Sequence, residues 1–252
     1  GLETAGALAR NGENVTLLEG HGWLLPRQLN EPAGRVLEQV AADMGITIRR
    51  RARTKELPGD ERVREIVLED GDRLPAELVI VATGVRSNSY VARLAGLEVG
   101  RGGVVVTNRL QTSDPDIYAA GDIAEHHGVS YGTWGPSQFQ GTIAGMNAAG
   151  ARSEFAGIPR SNMLKVLGYD MFSIGRIASE DAGDTAAEES RNGNYRYFMF
   201  RDTHLAGAIL LGDTHLSAAV KHAVESGLDC STVSNGASAD DVAQFIEEHA
   251  GT

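Results

Sequence analysis

The chain has 252 residues, 42% of them hydrophobic and 23% charged, with a formal charge of −11 and a mean hydropathy of −0.20. This composition excludes a disordered, collagenous or disulfide-stapled chain and leaves room for one to two domains with a substantial core. No apolar run reaches the ~20 residues that cross a bilayer, and the acidic balance argues against general affinity for nucleic acid or anionic membrane.

The opening Gly1-Leu2-Glu3-Thr4-Ala5-Gly6-Ala7-Leu8 reads as a helix entered in mid-turn, and the chain is expected to begin inside a longer one. Residues 2–11 place Leu2, Ala5, Leu8 and Ala9 on one helical face, and Gly12 ends the run. Asn14 to Glu19 is a short strand closing on an acid. Asn30 and Pro32 then start a second helix with the stripe Val36, Leu37, Val40, Ala41, Met44, stopped by Gly45. Ile46 to Arg51 is a strand again. This β-α-β alternation predicts a parallel sheet. Val63–Glu69 and Leu74–Ala82 flank Asp70-Gly71, a strong hairpin-turn pair, and the second strand closes on the apolar run Leu78-Val79-Ile80-Val81-Ala82. Short strands are expected around Val104–Val106 and Ile117–Ala119, and a small-residue helix from Pro136 to Ala149. Beyond Ser153 the pattern turns antiparallel. Strands are expected at Met163–Gly168, Met171–Gly175, Tyr195–Arg201 and Leu205–Leu211, helices at Leu216–Glu225 and Ala239–His249, and a surface loop at Asp181–Asn194.

In the first block a glycine opens a helix, a strand follows, and the strand ends in Glu19. In a dinucleotide-binding βαβ unit, glycine lets the backbone approach a pyrophosphate at the helix N-terminus, and an acid ~20 residues on accepts from the adenosine ribose. Gly1 is the last glycine of such a fingerprint and Glu19 the acid, although a helix and strand of any α/β fold account for this block equally well.

The run Thr112-Ser113-Asp114-Pro115-Asp116-Ile117-Tyr118-Ala119-Ala120-Gly121-Asp122 followed by Ile123-Ala124-Glu125 resembles the flavin-side signature of the pyridine nucleotide–disulfide oxidoreductase family. The likeness is to the branch with NADH–rubredoxin and ferredoxin reductases and the flavin module of assimilatory nitrite reductases. Val79 to Asn88, with Thr83-Gly84, resembles the family's return from the NAD domain to the FAD domain; Ser87 stands where the family usually has proline. Trp134-Gly135-Pro136-Ser137-Gln138-Phe139-Gln140-Gly141 resembles the start of the helix beneath the isoalloxazine, whose N–H groups and positive dipole end would face the flavin N1–C2 carbonyl.

The resemblance implies an α/β fold in three parts. They are a Rossmann-like NAD(H)-binding domain over 1–82 lacking its first strand, the C-terminal segment of a FAD-binding domain over 83–152, and a small α+β interface domain over 153–252. It implies FAD and NAD as cofactors, held by Gly1, Glu3, Glu19, Thr83, Gly84, Gly121, Asp122, Trp134, Gly135 and Pro136. Glu3 falls where the family meets the nicotinamide end, Glu19 at the adenosine ribose, and Asp122 at the FAD ribityl chain, as a buried carboxylate that a polyol satisfies. No side chain is needed as acid or base, and no metal is expected. The family's first GxGxxG does not occur in the chain. The chain is therefore read as the C-terminal part of a larger flavoprotein, expected to be colourless in isolation and inactive alone. Its strands over about 83–152 are expected to want neighbours, inviting self-association or a homodimer.

The implied function is NADH-dependent FAD oxidoreduction in the cytoplasm, with electrons leaving to a small iron–sulfur or rubredoxin-type acceptor or to a fused redox centre. Two alternatives stay open: a thiol–disulfide, peroxide or oxygen reductase of the same family, and a non-catalytic flavin-binding interaction module. Tempting residues have plainer readings. Cys230, the one cysteine, forbids an internal disulfide and reads as an inert small side chain. His126-His127 should point apart on a strand and bind no metal. His215 and His222 read as surface groups, and Arg49-Arg50-Arg51 with Arg53 as a solvated strand end rather than a face for an acidic redox protein. Arg27 lies in the loop beyond Glu19, within possible reach of a nucleotide phosphate.

Overall fold

The computed structural model describes residues 1–179 and 181–250. They form two compact units, one of residues 1–82 with the described part of 161–252, the other of residues 83–160.

The first unit opens with α1 (Leu2–Arg10), β1 (Thr16–Glu19), α2 (Glu31–Asp43) and β2 (Thr47–Arg50). β1 and β2 pair in parallel with Glu19 opposite Arg50, so both strands end at one edge. Asn30 caps α2, its Oδ1 accepting from Ala33 N–H at 3.1 Å, with Pro32 in the first turn and Gly45 at φ +80° beyond the end. Leu37 and Ala41 of the expected stripe are fully buried.

β3 (Thr54–Glu56), β4 (Glu65–Leu68) and β5 (Arg73–Pro75) make a small antiparallel sheet in that order. Asp70-Gly71 forms the expected turn: Gly71 sits at φ +97° and Asp70 Oδ1 accepts from Asp72 N–H at 3.0 Å. The expected second strand does not reach Ala82. It stops at Pro75, and residues 76–82 run as irregular chain with Leu78 69% and Val81 72% exposed. An all-apolar run is the pattern of a strand buried on both faces. Among the described residues no neighbouring strand takes its hydrogen bonds, so the propensity has nothing to act on.

The second unit holds α3 (Tyr90–Leu94), β6 (Val104–Val106), β7 (Ala124–His126) and α4 (Trp134–Ala148). β6 and β7 pair in parallel over a small core of Val106, Leu110, Ala124, Ile143, Ala144 and Phe155. The strand expected at Ile117–Ala119 reduces to a single bridge between Tyr118 and Gln111. The regular pairing lies seven residues later, in β7, which the sequence reading missed along with α3.

The first unit resumes with β8 (Ser161–Val166), β9 (Tyr169–Gly175), β10 (Asp184–Arg191), β11 (Asn194–Arg201) and β12 (His204–Leu211). α5 (Ser217–Ser226) and α6 (Ala239–Ala250) follow. The strands form one antiparallel sheet in the order β10-β11-β12-β9-β8. The stretch expected to be a loop is largely β10. It is an edge strand, and its polar, small side chains suit an edge where only Ala187 is buried.

The two-residue period of the inner strands splits the core. Phe172, Ile174, Phe198, Phe200, Ala208 and Leu210 face α5 and α6. Met171, Tyr195, Tyr197, Met199, Ile209 and Leu211 face Leu24, Leu29, Leu37 and Ala41 of the N-terminal segment. Both faces are covered, which is why these strands read as nearly continuous apolar runs. Tyr195 links the halves of the unit: its hydroxyl donates to Glu188 Oε2 at 2.8 Å and accepts from Asn30 Nδ2 at 2.9 Å. Among the described residues, no helix is long and apolar enough to cross a membrane.

Candidate functional site

In the second unit Asp122 lies on a single 3-10 turn, Gly121–Ile123, which runs into β7 rather than into a helix. Gly121 adopts φ +79°, and a Cβ there would stand 3.4 Å from the Ser137 Cβ and Oγ, so glycine lets the turn lie against α4. Gly121 N–H donates to Gln140 Oε1 at 2.8 Å, and the single Ser137 hydroxyl proton is shared between Asp122 Oδ1 at 3.2 Å and Thr133 O at 2.8 Å. The turn and the first two turns of α4 are thereby held as one piece. No side chain caps α4, which leaves its first N–H groups open for an acceptor. The Ser87 hydroxyl contacts Asp122 O at 2.6 Å, which ties the segment carrying Thr83 and Gly84 to the same turn.

Expectation and geometry differ here at Asp122. Asp122 is exposed rather than buried; Thr83, Gly84 and Gly135 are exposed too, and Pro136 is half-buried. Trp134 is 78% exposed, so it is no core residue. The site is an open shelf. Sequence reasoning missed Ser137 and Gln140; three residues apart on α4 and inside the quoted motif, they share a helix face, and that spacing was the available signal. Gln140 is 1% exposed, and its Nε2 has no partner among the described residues. An orphaned amide beside an unshared carboxylate oxygen and free helix N–H groups suits a hydroxyl-rich, anionic group such as FAD.

In the first unit Gly1 is the N-cap of α1, and Glu3 lies in its first turn. Glu3 Oε1 accepts from Leu167 N–H at 2.6 Å, so this carboxylate already has a structural partner. Glu19 ends β1, and its Oε1 accepts from both the backbone N–H and the ring Nδ1–H of His21, each at 2.8 Å. The carboxylate is held at the carboxyl edge of a parallel pair, where α/β folds bind nucleotides. Trp23 in the following loop donates its Nε1–H to Leu29 O at 2.9 Å and packs on Gly34, where a Cβ would come within 2.6 Å of the indole.

Residues 1–150 match the family described as pyridine nucleotide-disulphide oxidoreductase. The chain belongs to that family. Residues 161–228 match the rubredoxin NAD+ reductase C-terminal domain. The chain is 31% identical over 254 residues to a nitrite reductase [NAD(P)H] of Bacillus subtilis, covering 100% of this chain and 31% of that protein. It is 35% identical over 217 residues to the assimilatory nitrate reductase electron transfer subunit of the same organism, covering 85% and 28%. The NADH:rubredoxin oxidoreductase of Clostridium acetobutylicum superposes with a TM-score of 0.74 at 26% identity, over 97% of this chain and 60% of that one. The chain thus spans about a third of the length of the first two of these relatives. The mixed α/β architecture is the family's fold.

Several other polar groups bond within their own unit. His126 and His127 do not point apart. His127 adopts φ +48° at the end of β7, and both Nε2 atoms meet Asn108 Oδ1, at 2.9 and 2.8 Å. Cys230 is fully buried, and burial pushes its thiol pKa up, which keeps it an unreactive thiol. His215 precedes α5 and lies between Asp213 at 2.6 Å and Glu247 of α6 at 3.1 Å, while Arg196 joins Asp213 to Asp240.

These two histidine sites predict opposite pH responses. Burial, helped by His127, pulls the His126 pKa below the ordinary 6.5, so its contribution is lost as pH falls below that value. The hydrogen bond His215 donates to Asp213, then the one to Glu247, raises its pKa above 6.5, so its contribution is full below that value and lost as pH rises through the raised pKa. Segment-resolved hydrogen exchange from about pH 5 to pH 8 should therefore show β7 gaining protection relative to the α5–α6 end. A parallel change at both places contradicts the assignment.

Proposed function

We propose that the chain supplies the nicotinamide-binding half and part of the flavin-binding half of an NADH-dependent FAD oxidoreductase. In this reading electrons pass to a small iron–sulfur or rubredoxin-type protein or to a fused redox centre. The observation that carries the reading is the Gly121-Asp122 turn locked against α4, with Gln140 Nε2 unpartnered beside it. When bound, FAD supplies the conversion of a two-electron hydride donor into single-electron transfers.

The side chains have binding roles. Asp122 accepts from ribityl hydroxyls, Ser137 orients the carboxylate, and Gln140 holds Gly121 in its left-handed conformation. The open N–H groups of α4, with Trp134, Gly135 and Pro136 in its first turn, favour negative charge on the ring by their dipole. Thr83 and Gly84 are held to the same turn through Ser87. Gly1 and α1 offer their first N–H groups to the nucleotide pyrophosphate, Glu3 lies towards the nicotinamide, and Glu19 accepts from the adenosine ribose. No residue transfers a proton in this scheme.

The rubredoxin NAD+ reductase C-terminal match and the nitrite reductase and rubredoxin oxidoreductase relatives support the one-electron acceptor. A cytoplasmic location accords with a single buried cysteine. Exposed apolar side chains at Leu78, Ile80 and Val81, and at Val85, Val91 and Leu94, support self-association of the isolated chain. The test is steady-state NADH oxidation by the whole protein with rubredoxin or ferredoxin, with disulfide or with oxygen as the sole acceptor. Fast turnover with the iron proteins alone is expected. Turnover with disulfide or oxygen alone overturns the acceptor; a flavin that NADH reduces without turnover on any of them points to the fused centre, and a flavin that NADH does not reduce favours an interaction module.

A further inference from the structure

The five-stranded sheet holds α1 and α2 at their N-terminal ends. Leu167 N–H, in the turn between β8 and β9, donates to Glu3 in the first turn of α1, and the Leu167 side chain covers Gly6, where a Cβ would stand 2.7 Å from its Cδ2. At α2 the tie is a directed chain. Asn30 Oδ1 accepts from Ala33 N–H, which leaves Nδ2 as the end that donates to the Tyr195 hydroxyl; that hydroxyl donates in turn to Glu188 on the edge strand β10. Tyr195 is 2% exposed, and a phenylalanine would fill its place in the core equally well. What the hydroxyl adds is direction: without it Asn30 Nδ2 loses its partner. Burial pushes the Tyr195 pKa above its ordinary value, so the hydroxyl keeps the proton it gives to Glu188.

The loop of residues 20–29 runs from the Glu19 end of β1 to Asn30 and is pinned at both ends. At its start Glu19 holds His21, and Arg51 N–H donates to His21 O at 2.9 Å. At its finish Trp23 Nε1–H donates to Leu29 O, next to Asn30, and the indole lies against Gly34 of α2. A shift of Asn30 therefore moves Leu29, Trp23 and the loop that orients Glu19. We propose that Tyr195 is a positioning residue for nucleotide binding: through Asn30 it sets the start of α2 and the loop that leads there from Glu19. The inference rests on the nucleotide reading of β1–β2 given above. It adds a residue from far along the chain, in the segment matched to the rubredoxin NAD+ reductase C-terminal domain. Tyr195 touches no nucleotide in this scheme; it raises the fraction of molecules whose loop is ready for one. A loop correctly placed about a fifth of the time binds about fivefold more weakly than one always in place.

The experiment titrates NAD+ into the whole protein by calorimetry and follows hydrogen exchange of residues 20–29. Tyr195→Phe should weaken NAD+ about fivefold, and its loop amides should exchange faster than in the wild type until NAD+ saturates the site. Tyr197→Phe, which removes a hydroxyl two residues along the same face, should bind within about twofold of the wild type. Asn30→Ser keeps an acceptor for the helix cap and loses the donor to Tyr195. It should repeat the Tyr195→Phe loss, and the double variant should bind no more weakly than the weaker single one, because both changes break one chain. Should Tyr195→Phe fail to fold, Asn30→Ser decides by the presence or absence of the same loss. Unchanged NAD+ affinity, losses that add in the double variant, or an equal loss in Tyr197→Phe overturn the role of Tyr195 and leave the nucleotide reading standing. A wild-type protein that binds no NAD+ sinks that reading, and this inference with it.

Discussion

Replacing Asp122 by alanine should strip flavin from the whole protein while leaving its fold intact. Asp122 is exposed, and its carboxylate makes one described hydrogen bond, from Ser137, so little of the unit's core depends on it. A hydrogen bond to a charged group contributes about 1.5–3 kcal/mol, which corresponds to FAD binding weakened by roughly one to two orders of magnitude. The measurement is flavin content after gel filtration and the dissociation constant for added FAD, with circular dichroism to confirm folding. Ser137→Ala should have a smaller effect in the same direction, because it frees the carboxylate to rotate without removing it. Full flavin occupancy in Asp122→Ala would show that the Gly121-Asp122 turn is not the ribityl contact.

Phe198→Ala should cost about 3–5 kcal/mol of stability, the usual range for a fully buried phenylalanine. Phe198 has no exposed surface and sits with Phe172, Phe200, Leu210, Val220 and Ile246, where the sheet meets α5 and α6. Removing its ring leaves a hole that two helices and a sheet cannot close without shifting their backbones. Against this, Met163→Ala on the edge strand β8, at a residue 56% exposed, should stay within about 0.5 kcal/mol. Urea unfolding followed by hydrogen exchange in β11 and β12 separates this unit from the other. A loss below about 1 kcal/mol for Phe198→Ala would mean that the face against α5 and α6 is not closely packed.

The sequence was legible wherever an element carries its own punctuation. Asn30, Pro32 and Gly45 bracket α2, and Asp70-Gly71 marks the β4–β5 turn; these are local signals, and the structure has them where they were expected. Pattern failed where the deciding partner lies elsewhere. Leu78 to Ala82 has the composition of a central strand and no strand to pair with. β10 has the composition of a loop and is paired by its neighbour β11. His126 and His127 alternate on paper, but the left-handed turn at His127 brings both rings to Asn108.

At the candidate site the motif located Gly121, Asp122 and the start of α4, because that run is long and specific. It did not disclose that Ser137 and Gln140 brace the turn, nor that His21 occupies Glu19 and Tyr195 holds the start of α2. Those relations depend on which helix face or strand end meets which loop, and a linear motif carries that information only through spacing. Glu3 is the instructive case: its position in the motif suggests the nucleotide, whereas its carboxylate is bonded to Leu167 N–H, a residue far along the chain.

The central claim is that this chain joins a nicotinamide site to a flavin site. The most direct measurement is anaerobic mixing of the flavin-loaded whole protein with NADH, followed at the flavin absorption band. The account predicts that the band bleaches with one NADH consumed per flavin and recovers when a one-electron acceptor is added. A flavin that stays oxidised in the presence of excess NADH and of NADPH would contradict it.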